Sequence, residues 1–80
     1  MNTIYDEAMD LLAGGYTPEQ LIAFKASDEA SRRFEELIAK EKSEGLLPEE
    51  TAELDRVMEM ERVLSRAKAQ ARVMLKAKAA

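Results

Sequence analysis

The chain has 80 residues, of which 46% are hydrophobic and 35% charged, with a net charge of −4 and neither cysteine nor histidine. So short a chain makes at most one domain and buries only roughly 60% of its unfolded surface. No disulfide or thiolate metal site can supplement that core, and both the commonest general base and the commonest metal ligand are missing.

What remains is a mixture rich in Ala, Leu, Met, Glu, Lys and Arg, the vocabulary of long amphipathic helices. No apolar run is long enough to span a bilayer. The opening MNTIYDEAMD is acidic where a secretory signal is basic and then apolar. Together with the absence of cysteine this leads to the expectation of a cytoplasmic protein.

In chain order, the first predicted helix covers about Thr3 to Ala13. Ile4, Ala8, Leu11 and Leu12 recur at helical spacing, and Asp6 and Glu7 sit near the positive end of the helix dipole. The pair Gly14 and Gly15 ends it, because glycine takes the left-handed cap conformation without steric cost.

The next stretch, YTPEQLIAF, holds the strongest local signal in the chain. Thr17 is a good N-cap, Pro18 suits the first helical position, and Gln20 completes a capping box. Tyr16 and Leu21 are placed to form the hydrophobic staple around it. A short helix from Pro18 to about Lys25 follows.

Ser27 caps a third helix, with Asp28 and Glu29 in its first turn, running to Glu44. Its apolar stripe is Ala30, Phe34, Leu37 and Ile38, and Gly45 stops it. Pro48 opens a fourth helix that continues without proline or glycine to about Lys78. Leu47 is a poor N-cap for it. Leu46 and Leu47 read as an apolar plug at the connecting turn. The fourth helix carries a heptad seam in which Val57, Leu64 and Ala71 alternate with Met60, Ala67 and Met74, widened by Leu75. Leu54 and Met58 fall off this seam, on a second small patch.

The expected architecture is therefore all-α and a single helical domain over residues 1–80. Two short helices in 1–26 precede a long antiparallel helical hairpin in 27–80. At 1.5 Å per residue the fourth helix is roughly 45 Å long and the third roughly 27 Å. The third helix then runs out near the middle of the fourth, leaving Ala67, Ala71, Met74 and Leu75 to be covered. The N-terminal helices folded back, a second copy, or a different protein would each do so. A homodimer is the simplest expectation.

Charge is divided along the chain. Residues 1–61 carry all 16 acidic side chains and six basic ones, a net of −10, whereas residues 62–80 carry six basic side chains and no acidic one. On a helical wheel Arg62, Arg66, Lys68, Arg72 and Lys76 occupy one arc, mostly opposite the seam. A basic helix end complements the macrodipole, and between antiparallel copies it would meet an acidic helix start. Such a face also suits an acidic protein partner or nucleic acid. Nucleic acid has little further support, since the tail has no aromatics for stacking and the chain is acidic overall. A membrane-surface role is disfavoured by an apolar face diluted with alanine.

Nothing in the sequence points to catalysis. Glutamates cluster at Glu49, Glu50 and Glu53, and at Glu35, Glu36 and Glu41, but a di-metal carboxylate site in a bundle needs Glu-x-x-His pairs. No phosphate-binding glycine loop and no nucleophile with a base is present. No catalytic residue, metal or cofactor is expected.

The run from Ile22 to Arg72 resembles a family of small uncharacterised bacterial helical proteins. Their sequences read as a helix with two leucines, a glycine-containing turn, L-T-P-E-E, then A-E-L-D and a basic helix. Leu37, Ile38, Leu46, Pro48, Glu49, Glu50, Ala52, Glu53, Leu54 and Asp55 carry the resemblance. Leu47 stands where the family has threonine, and Gly45 comes one place late, which alters the turn rather than the helices. The resemblance implies the helical hairpin fold and short, antitoxin-like companion proteins. The function expected is a non-catalytic interaction module. Leu64, Ala67, Ala71, Met74 and Leu75 would dock a partner helix, with Arg66, Arg72 and Lys76 steering an acidic one. The alternatives are a nucleic-acid-binding regulator using the basic face of residues 62–78 and a purely structural oligomeric subunit.

Overall fold

A computed structural model describes residues 2–79. They form four helices: α1 (Ile4–Gly14), α2 (Pro18–Ala23), α3 (Asp28–Ser43) and α4 (Pro48–Ala79). No strand occurs among the described residues. The molecule is elongated, 52 × 21 × 19 Å, and its long dimension is set by α4.

The caps explain where the helices start. Thr3 lies just outside α1 rather than in its first turn, and caps it in a reciprocal box with Asp6. Thr17 and Gln20 form the box expected for α2, with the Thr17 N–H donating to the Gln20 Oε1 at 2.8 Å. Ser27 caps α3 by accepting from the Ala30 N–H at 3.2 Å. Alanine at this third position cannot return the bond, and Glu7 of α1 does so instead: its carboxylate accepts from the Ser27 N–H at 2.7 Å and from the Ser27 hydroxyl. One carboxylate thus finishes the cap of α3 and fastens α1 to it. At α4 the apolar Leu47 offers no side-chain acceptor, but Glu50 accepts from the Leu47 N–H at 2.9 Å, half of a capping box.

Helix ends follow the glycines only in part. Gly15 and Gly45 both take positive φ, 82° and 87°, where a side chain would be strained. At the end of α3, the N–H groups of Glu44 and Gly45 both donate to the Lys40 carbonyl at 3.0 Å. By contrast, α2 stops two residues before the expected Lys25. Phe24 turns extended, with ψ 129°, and its carbonyl accepts from Lys68 Nζ at 2.8 Å. That lysine comes from 44 residues further along the chain, so no local reading could place the stop.

The core runs along one stripe of α4. Met60, Leu64 and Ala71 are buried with Ala8 and Leu21, and Leu11, Leu12, Ile22, Phe24 and Ala67 pack against them. A second cluster joins Val57 to Ile4 and Ala30, flanked by Ala26 and Phe34. Tyr5 packs against both clusters. The long seam is therefore covered within one chain by α1 and α2, the first of the three solutions open to the sequence, and its coverage supplies no reason for a second copy. Leu54 is also buried, at 2% exposure, while Met58 remains 42% exposed. Leu54 precedes Val57 by three residues and so extends the main stripe; the separate Leu54–Met58 patch expected from the sequence does not form.

Between α3 and α4, charged pairs border apolar contact: Ala30 packs with Val57, and Leu37 is buried at 1% exposure. Arg33 grips Glu53 with two bonds, of 2.8 and 2.9 Å, and Lys40 reaches Glu50 at 3.0 Å. Positions advancing along α3 thus meet positions receding along α4. No described buried side-chain polar atom lacks a partner.

Candidate functional site

The residues expected to dock a partner separate into three groups. Leu64 and Ala71 are 4% and 3% exposed and belong to the chain's own core. They cannot meet a partner without displacing α1 or α2, because those helices already occupy that side of α4. Ala67 and Leu75 are half-buried, with Ala67 packed against the same core. Met74 is 53% exposed, and Arg66, Arg72 and Lys76 are exposed.

What is left of the apolar face is a groove of about 370 Å³ beside the C-terminal half of α4. Tyr16, Pro18 and Leu21 form one wall, and Ala67, Gln70 and Met74 the other, with Ala71 at the base. The start of α2 creates it: the capping box fixes the direction of chain entry, and Tyr16 comes out 44% exposed rather than closed over Leu21 as a full staple. Ala67 and Ala71 keep the α4 side shallow. The sequence placed Ala67, Ala71 and Met74 on this surface. It missed Tyr16 and Pro18, because only the fold brings them beside Met74.

The basic residues do not line this groove together. Arg72 and Lys76 each lie two residues from Met74, roughly 200° around the helix, and so face away from it. Arg66 is nearer, one residue before Ala67. Lys68 leaves the basic face altogether: besides bonding the Phe24 carbonyl, its ammonium lies 5.9 Å from the Phe24 ring centre. It therefore acts as a tie between α4 and the end of α2. Arg62 pairs with Glu59 on the surface. Arg66, Arg72, Lys76 and Lys78 form no ion pair with any described residue.

Three carboxylates are held below the usual range. Glu53 is lowered chiefly by its bond from Arg33, Glu50 by the Leu47 N–H and then Lys40, and Glu7 by the Ser27 hydroxyl and backbone. All three stabilise helix junctions. No described cluster of three or more potential metal-ligating side chains is present, and no described helix is long and apolar enough to cross a membrane. A second, more polar cleft of about 430 Å³ lies between the α2–α3 connection and α4, bordered by Glu35, Glu61 and Lys68.

Comparison with protein-family models, with curated proteins and with solved structures finds no match.

Proposed function

We propose that this protein is a non-catalytic interaction module that receives an amphipathic helical segment of a partner protein in the groove between α2 and α4. The observation that carries this reading is the open apolar groove itself, in which Tyr16 and Met74 remain about half exposed although the rest of the seam is closed. Helix-in-groove docking uses such a surface, with aromatic and methionine side chains adapting to the incoming helix. The α3–α4 pair serves as an antiparallel helical hairpin that displays the groove. A cytoplasmic companion protein of antitoxin-like type is one concrete form of this function, in keeping with the resemblance of Ile22 to Arg72.

The test is retention of partner protein from a nuclease-treated lysate of the source organism on the tagged chain, comparing wild type with Met74→Asp. Because Met74 is half exposed, the variant is expected to keep its helicity and melting temperature while losing a stoichiometric partner. Equal retention by both would remove the groove from the interaction. A second reading, nucleic-acid binding, is favoured by Arg66, Arg72 and Lys76, which are exposed and form no ion pair with any described residue. It requires an affinity that falls steeply with salt and a shallower slope in Arg66→Ala.

A further inference from the structure

The outer face of α4 carries a second regular pattern, distinct from its buried stripe. Asp55, Met58, Arg62, Ser65, Ala69, Val73 and Lys76 follow at spacings of three and four, so they share one face, and all seven are exposed. Acid lies toward the N-terminal end of this face and base toward the C-terminal end. Met58 is 42% exposed and Val73 60%.

We infer that this face docks a second copy of the chain, α4 against α4 in antiparallel orientation. The register follows from the side chains. When Ser65 of one copy faces Arg66 of the other near the two-fold axis, Asp55 faces Lys76 of the second copy. Met58 then faces Val73, Arg62 faces Ala69, and Arg72 shares a flank of the interface with the exposed Glu61 of the second copy. The symmetry makes each of these contacts twice. Two kinds of opposite-charge pair and one apolar pair thus come together in a single register, and Ser65 and Ala69 are small enough for the helices to approach at the crossing.

Other arrangements are penalised. A slide of one heptad toward the C-terminal ends sets Arg62 against Lys76 and Arg66 against Arg72. A slide the other way sets Arg62 against itself. Parallel helices oppose every charge to its own kind. Like charges in such contacts oppose association; the inferred register sets the two Arg66 side chains beside each other at the axis and pairs the outer charges with opposite ones.

This surface faces away from the α2–α4 groove, and the inference does not rest on the groove's having an occupant. Association through the groove would instead superpose the two basic tails. The dimer is small and largely electrostatic. One helix pair buries less than the roughly 1,200–2,000 Å² of a stable interface. It is therefore reversible and weakened by salt.

Sedimentation equilibrium of the purified full chain tests the inference without any partner. At low ionic strength a monomer–dimer equilibrium is expected, shifting toward monomer at high ionic strength. Asp55→Lys and Lys76→Glu should each weaken the dimer about tenfold or more, since each reversal acts on two symmetric pairs. The double variant D55K/K76E restores opposite charges and should recover association to within a few fold. Val73→Asp, which sets a carboxylate beside Met58, gives an independent disruption. Neither Asp55 nor Lys76 forms an ion pair with any described residue, so helicity should be unchanged. A chain that stays monomeric at low salt overturns the inference, as does a dimer indifferent to these reversals or one that the double variant fails to restore. A monomer whose Lys76→Glu variant loses affinity for a poly-glutamate peptide or a DNA duplex would assign the face to a different partner, and also overturns it.

Discussion

The two ends of α4 are held in different ways. Near the turn to α3, its N-terminal third packs one buried leucine, Leu54, under a cover of matched charges, Arg33 with Glu53 and Lys40 with Glu50. Beyond Val57 the helix is held by apolar contact with α1 and α2, and among the described residues Lys68 is the charged side chain that bonds across the junction. The first end has its charges answered within the chain. The second leaves Arg66, Arg72, Lys76 and Lys78 without an ion pair to any described residue, and it carries one wall of an open apolar groove. The contrast separates an end whose charges are paired within the chain from an end whose charges are not.

The strongest way to break the comparison is Leu64→Asp. It places a carboxylate among Ala8, Leu21 and Met60 and removes a buried leucine, at a cost of about 4 kcal/mol or more. For a domain of this size that approaches the whole stability, so loss of helical circular dichroism at room temperature is expected. A variant that kept its helicity would mean that α1 and α2 do not hold this face closed.

Acid should loosen the helix junctions that carboxylates hold. Glu7, Glu50 and Glu53 are lowered from an ordinary value of 4.5, so the unfolded chain binds their protons more readily than the folded one. Their contribution is complete above that value and is lost as pH falls through the lower folded values. Thermal melts across this range should show the melting temperature falling on acidification. In Glu53→Gln the fall should be shallower, because one of the three groups no longer titrates.

Smaller effects rank the two ion pairs. Arg33 and Glu53 are bonded at two points with side chains only 21% and 16% exposed, so Arg33→Ala should cost about 1–2 kcal/mol in chemical denaturation. Lys40 is more exposed and makes one bond; Lys40→Ala should cost about 0.5 kcal/mol or less. Met74→Asp, at the other end, should change stability by no more than about 0.5 kcal/mol and act on binding alone.

Thr17, Pro18 and Gln20 announced α2, and Gly45 with Pro48 bracketed the turn, because capping and backbone preference involve residues within one or two turns of each other. The same locality hid the cap on α3, which borrows Glu7 from another helix, and the tie from Lys68 to the Phe24 carbonyl at the end of α2. The candidate surface was legible at Ala67 and Met74 from periodicity. Leu64 and Ala71 share that periodicity yet lie beneath α1 and α2. A wheel reports that a face is apolar, and it does not say what covers it.

The sequence by itself determined that this is a chain of four helices, where most of them begin, and that base is gathered at one end of the longest. Each of those properties depends on near neighbours and on composition. Only the tertiary structure decided that α1 and α2 close the seam of α4, that Leu54 belongs to the core, that Lys68 is a tie, and that Tyr16 stands beside Met74. Those outcomes depend on contacts between distant segments, and several helix faces of similar apolar character compete for them. The winner is the packing that buries Ala8 and Leu21 against small and medium residues of α4 while leaving no described buried side-chain polar atom without a partner.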